Sequence, residues 1–181
     1  MVFEKIYMDA KGVSESETKA SYTELVGELT KKGLTVSVAE SCTGGLMGKL
    51  FTDVSGASAV FSGGMITYTN HIKINKLGVS AETIARHTEV SFECAAEMAM
   101  RAREYFETDI GVSATGFAGP TGGTENDPVG TVYLGVSTKA RTVVYRLSFE
   151  DCTRDDIRYG TAFAAVKTII KENRAFFEKN I

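Results

Sequence analysis

The run Thr35-Val36-Ser37-Val38-Ala39 breaks off in Glu40-Ser41-Cys42-Thr43-Gly44-Gly45, and an apolar-periodic segment (Leu46, Met47, Leu50, Phe51) begins at once. A short β-branched stretch, a turn of small residues and then helical spacing read as strand, tight turn and helix start. Residues 34–39 are almost wholly apolar or β-branched, as expected of a strand covered on both faces. Such a strand needs a layer above it and a layer below it.

The rest of the chain supplies those layers. Tyr22, Leu25, Val26 and Leu29 stand at helical spacing within residues 18–33, and Gly33 is placed to end that helix. Residues 1–17 show no clear period and are treated as an extension without an assigned element. The helix after Gly45 should end by Thr52. Residues 57–69 read as an extended segment broken or bulged at Gly63-Gly64. Short helices are expected over 70–78 and after Ser80. Ser91 opens a helix whose Phe92, Ala95, Ala96, Ala99, Ala102 and Phe106 trace one face. Strands are expected at 109–116, 131–137 and 141–149, the last two joined as an antiparallel hairpin through Thr138-Lys139-Ala140. A long helix over 153–177 buries Ile157, Ala162, Ala165, Val166, Ile169 and Ile170. The fold class is therefore α/β, a three-layer α/β/α sandwich with a mixed sheet, and residues 18–181 form one domain.

Length and charge narrow the function. A chain of 181 residues favours one domain. A net charge of −3 provides no basic field for nucleic acid or an acidic membrane surface. No apolar run approaches the roughly 20 residues needed to cross a bilayer, and the first residues lack the pattern of a secretion signal. Three cysteines, Cys42, Cys94 and Cys152, match neither a disulfide framework nor a metal pattern. The expectation is a reducing, cytoplasmic setting.

Two loops can carry chemistry, since each follows a strand and is rich in glycine and hydroxyls. Ligands of open α/β sheets gather outside the carboxyl ends of strands. In the first loop, Ser41 and Thr43 can cap the helix. Alternatively Ser41 is a nucleophile, with the amides of the helix start holding developing negative charge. The second loop, Thr115-Gly116-Phe117-Ala118-Gly119-Pro120-Thr121-Gly122-Gly123-Thr124, is either an anion cradle or a long structural turn. Neither loop has a P-loop lysine, and no G-x-G-x-x-G turn occurs. A hydroxyl nucleophile needs a base. His71 and His87 stand in no recognisable triad setting. Lys73 can serve if burial lowers its proton affinity, and is otherwise a solvated surface lysine.

AESCTGG at 39–45, Tyr68-Thr69-Asn70-His71-Ile72-Lys73 with Leu77-Gly78-Val79, and TGFAGPTGG at 115–123 with Pro128-Val129-Gly130-Thr131-Val132 stand in this order. Together they resemble the C-terminal domain family of the competence/damage-inducible protein CinA, over roughly residues 18–175. The resemblance implies action on a small molecule, hydrolysis of the carboxamide of nicotinamide mononucleotide to nicotinic acid mononucleotide and ammonia, with no metal and no cofactor. It places the nucleophile on Ser41 and assisting groups on Tyr68 and Lys73. The substrate-binding set it implies is Cys42, Thr43, Gly44 and Gly45 on the first loop, with Thr43 to Gly45 holding the oxyanion. On the second loop that set is Thr115, Gly116, Gly119, Pro120, Thr121, Gly122 and Gly123, with the substrate phosphate on residues 119–123. Arg154 and Arg158, one turn apart, match a family arginine pair and can reach an anionic substrate or a neighbouring subunit. A homo-oligomer is expected.

This chain departs from the family pattern at Thr121, at Glu125-Asn126-Asp127, at His71 and at Thr88-Glu89, which bears on ligand fit rather than on the reacting groups. The rival readings are a catalytically silent nucleotide- or partner-binding module of the same fold, and a thiol hydrolase using Cys42.

Overall fold

The computed structural model describes residues 3–178, so the first two and last three residues lie outside it. In chain order the elements are β1 (Glu4–Ala10), α1 (Glu15–Lys32), β2 (Val36–Glu40), α2 (Leu46–Thr52) and β3 (Phe61–Ile66). A short α3 (Asn70–Ile72) runs into a π turn (Lys73–Leu77), followed by α4 (Ala81–His87) and α5 (Phe92–Tyr105). Then come β4 (Ile110–Gly116), β5 (Thr131–Ser137), β6 (Thr142–Phe149) and α6 (Arg154–Glu178). The strands make one mixed sheet in the order β1-β6-β5-β4-β2-β3. β2 runs parallel to both β3 and β4, while β5 is antiparallel to β4 and β6. The three-layer reading of the sequence holds.

One face of the sheet packs on α1, α2 and α6. There Val36, Val38, Val112, Leu134 and Leu147 meet Tyr22, Leu25, Met47, Phe51 and Ile169 in the main apolar core. The other face packs on α5, and small side chains on both partners bring the backbones together. Ser113 Oγ donates to the Ala95 carbonyl at 2.7 Å, and a Cβ on Gly135 would lie 2.6 Å from that same carbonyl. A Cβ on Gly111 would strike the carbonyl of Ala99. The alanine stripe of α5 is thus the complement of a glycine- and serine-bearing sheet face, which buries apolar area without large side chains.

Two elements differ from the sequence expectation. The extension over 1–17 contains β1, which pairs in parallel with β6 from Glu4↔Val143 to Ala10↔Phe149. Most of its residues are exposed, so it lacks the alternation that marks a half-buried strand. Helix α1 starts at Glu15, because Ser14 and Glu17 form a capping box in which each satisfies the other's backbone donor. The expected break at Gly63-Gly64 is a register shift: Val36 faces Phe61 whereas Ser37 faces Gly63. Among the described residues, no helix is long and apolar enough to cross a membrane.

Candidate active site

The turn after β2 is organised by the last residue of that strand. Glu40 is buried, and its carboxylate accepts from the backbone N–H groups of Gly45 at 3.0 Å, Met47 at 3.1 Å and Gly48 at 2.8 Å. Three otherwise orphaned donors at the start of α2 are satisfied this way. The capping role expected of Ser41 or Thr43 therefore belongs to Glu40. Gly45 itself is the N-cap, at φ 96°, a conformation that favours glycine.

This corrects the expected oxyanion site. The Gly45 N–H is committed to Glu40, and the Gly44 N–H donates to the Ser41 carbonyl at 3.1 Å. Of the turn's amides, those of Cys42 and Thr43 are not spent on such bonds among the described residues. Arg158 braces the same turn, donating from Nε at 3.1 Å and Nη2 at 2.7 Å to the Thr43 carbonyl. Thr43 Oγ1 is fully buried without a hydrogen-bond partner among the described residues.

Ser41 meets Lys73. The Lys73 Nζ lies 3.0 Å from Ser41 Oγ and donates to the Thr67 carbonyl at 2.8 Å, and the lysine has no exposed surface. Its placement follows from the chain path. Thr67 N–H donates to the Glu40 carbonyl at 2.7 Å, which ties the end of β3 to the end of β2. Thr69 then caps α3, and the π turn aims Lys73 inward. Burial pushes the Lys73 amine below its ordinary value, opposed by smaller effects of Cys94 and Glu89. A lysine so placed can hold a neutral amine against a hydroxyl. Cys42, beside the serine, is buried as well, and burial raises its thiol to about 12. A thiol that holds its proton so tightly is a poor nucleophile.

Ser41 opens into a cleft of about 250 Å³. Cys42, Tyr68, Thr115, Gly116, Gly119, Thr121 and Arg154 line it with Ser41. Tyr68 is 58% exposed, and its hydroxyl makes no hydrogen bond to Ser41 or Lys73 among the described residues. Arg154 Nη1 donates to the Gly119 carbonyl at 2.7 Å. Thr43, Gly44, Gly45, Pro120, Gly122, Gly123 and Arg158 do not line the cleft. Gly122 faces the Phe117 ring, and Gly123 backs onto the Val129 amide, so these two shape the loop from behind. Asp127 pins that loop to the sheet, accepting from Tyr133 Oη at 2.7 Å and Arg146 Nε at 3.1 Å.

Sequence reasoning missed Glu40, the Thr67 carbonyl, and the cleft residues Val90, Phe117 and Ala118, and singled out Glu89 only as a departure bearing on ligand fit. Glu89 stands on the link between α4 and α5, and its carbonyl is held by Thr115 Oγ1 at 2.7 Å. Two larger hollows exist, of about 420 Å³ along α1 and about 700 Å³ beside α4, but neither holds a buried amine against a hydroxyl. Among the described residues, no three His, Cys, Asp or Glu side chains converge as a metal site.

Fold and site together define a three-layer α/β protein whose sheet presents, at one strand end, a serine hydroxyl against a buried lysine. Comparison with known proteins places it further. The sequence model of the CinA C-terminal domain matches residues 18–172, and the chain belongs to that family. A CinA-like protein of Kosmotoga olearia is 46% identical over 142 residues, 78% of this chain and 34% of the relative. One from Crocosphaera subtropica is 46% identical over 145 residues, 79% and 35% of the two chains. The chain thus spans about a third of the length of the curated relatives it matches. Among solved structures, the competence/damage inducible protein CihA of Agrobacterium tumefaciens superposes with a TM-score of 0.85 at 34% identity, covering 89% of this chain and 98% of that one. The competence damage-inducible protein A of Klebsiella pneumoniae gives 0.83 at 28% identity, covering 87% and 97%.

Proposed function

We propose that the protein is an amidohydrolase that releases ammonia from the carboxamide of nicotinamide mononucleotide, leaving nicotinic acid mononucleotide. The observation that carries this reading is the 3.0 Å contact between Lys73 Nζ and Ser41 Oγ, with the lysine fully buried. Family resemblance supplies the substrate, and the geometry supports the chemistry.

In the proposed mechanism, Ser41 Oγ attacks the amide carbon while the neutral Lys73 amine takes its proton. The oxyanion that forms is met by the amide left for it at the cleft, that of Cys42. Collapse of the tetrahedral intermediate breaks the carbon–nitrogen bond, and the Lys73 ammonium returns its proton to the departing nitrogen. Water then attacks the acyl-serine, Lys73 again accepting a proton, and the acid leaves with Ser41 restored. Tyr68, on the cleft wall, is available to the substrate's reacting end. Arg154 offers its charge to the nucleotide phosphate. Arg158 serves by holding the turn, not by touching the ligand.

The test is ammonia release from nicotinamide mononucleotide by the purified chain, and by S41A and K73M. Steady release that both variants abolish supports the enzyme. Tight binding of the nucleotide without release by the wild type supports the silent binding module instead.

A further inference from the structure

The cleft holds two charged side chains of opposite sign, and only the cation has a role so far. Arg154 lines it, and so does Glu89. The backbone of Glu89 is fixed on both sides. Thr115 Oγ1 donates to its carbonyl at 2.7 Å, and Thr88 before it sits at φ 68°. That conformation is unfavourable for a β-branched residue, so the surrounding contacts impose it. Its side chain is held much less. Asn70 Nδ2 approaches Glu89 Oε2 at 3.5 Å, the limit of a hydrogen bond, and no ion pair to Glu89 forms among the described residues. A half-buried carboxylate with a fixed backbone and almost no partner, beside a reactive serine, is placed to receive a ligand.

We infer that Glu89 is a specificity-determining residue whose carboxylate receives the positively charged ring of the substrate amide, while Arg154 takes its anionic end. The inference rests on the amidase reading above and deepens it. A carboxamide on an N-substituted pyridinium ring carries a permanent positive charge next to the reacting carbon. An amide on a neutral aromatic ring offers Glu89 nothing and leaves its carboxylate to be desolvated without compensation. The cleft should therefore discriminate by ring charge, through differential binding rather than through the chemistry.

The alternative role for Glu89 is to act on Lys73, whose amine feels it through space. The two roles separate by substrate. A group that tunes Lys73 alters turnover of every amide alike. A group that reads the ring alters the ratio between amides.

The experiment compares nicotinamide mononucleotide with the analogue in which a benzene ring replaces the pyridinium, using wild type, E89Q and E89D. In E89Q, kcat/KM for the pyridinium substrate should fall about tenfold, mainly through KM, and the ratio between the two substrates should narrow by about the same factor. E89D should recover part of the preference. An equal fall for both amides, or an unchanged ratio, overturns the inference. In parallel, both ligands are titrated calorimetrically into S41A and into S41A combined with E89Q. If the wild type releases ammonia from neither amide, the amidase reading fails, and the titration still decides Glu89. Weaker binding of the pyridinium nucleotide alone upholds the charge-reading role; equal affinities sink it.

Discussion

Lys73 and Ser41 touch across 32 residues of sequence, the amine reaching the hydroxyl at 3.0 Å from beneath the cleft floor. Burial makes this lysine hold its proton less tightly than it would in the unfolded chain. The folded chain then binds fewer protons than the unfolded chain between the two values, so stability rises with pH across that window. The burial penalty is fully present below the folded value and gone above the ordinary lysine value. Measured against K73M by denaturant unfolding, the wild type should gain stability as pH rises from neutral toward about 10. Ammonia release should climb over the same limb, with its midpoint below the ordinary lysine range. K73M should lose roughly a thousandfold in kcat.

Glu40 holds the serine turn by closing the start of α2. Glu40→Ala leaves three backbone donors without their acceptor and should cost about 3 kcal/mol of stability. Glu40→Gln keeps the shape but can accept at one oxygen only, and should cost about half as much. Because the turn that presents Ser41 loosens, kcat of E40Q should fall by roughly tenfold or more while KM stays near the wild-type value. Steady-state kinetics alongside thermal unfolding reads both effects.

Thr43 buries a hydroxyl that, among the described residues, nothing accepts from or donates to. Replacing it by the isosteric valine removes an unsatisfied polar group and should stabilise the chain by about 1 kcal/mol. The Thr43 side chain is absent from the cleft wall, so kcat/KM of T43V should stay within about twofold of wild type. A large loss of activity in a more stable protein would show that this hydroxyl serves the substrate after all.

Gly111 is needed for close approach. A methyl group there meets the Ala99 carbonyl and, at 2.7 Å, the Arg103 backbone nitrogen and Cβ. Gly111→Ala must push α5 off the sheet and should destabilise by about 3 kcal/mol, seen as a lower midpoint in urea.

The elements were legible wherever a local rule specifies them. Val36 and Val38 mark a strand covered on both faces, Gly33 at φ 62° ends α1, and Ser91 caps α5 through the Cys94 amide. β1 was not legible, because its partner lies in β6 and its own residues show no alternation. At the site, the order strand, turn, helix exposed Ser41, but local spacing could not bring Lys73 to it. That meeting depends on the path through β3 and the π turn. Glu40 escaped for a different reason: it caps donors five, seven and eight residues ahead, outside the Ser, Thr, Asp and Asn pattern by which caps are read. Glu89 reaches the cleft through the tether of its carbonyl to Thr115, a contact no periodicity encodes.

The parallel pairing of β1 has a consequence for the solubility of shortened forms. Its backbone shields the outer rim of β6, and Arg141 fastens it by bridging Glu4 at 2.9 Å and Glu172 at 2.5 Å. A chain trimmed back to the start of α1 would bare a rim of unpaired amides and carbonyls along Val144, Arg146 and Ser148, a template on which copies can stack. The opening residues thus act as a sacrificial border, keeping the sheet from growing into its neighbours.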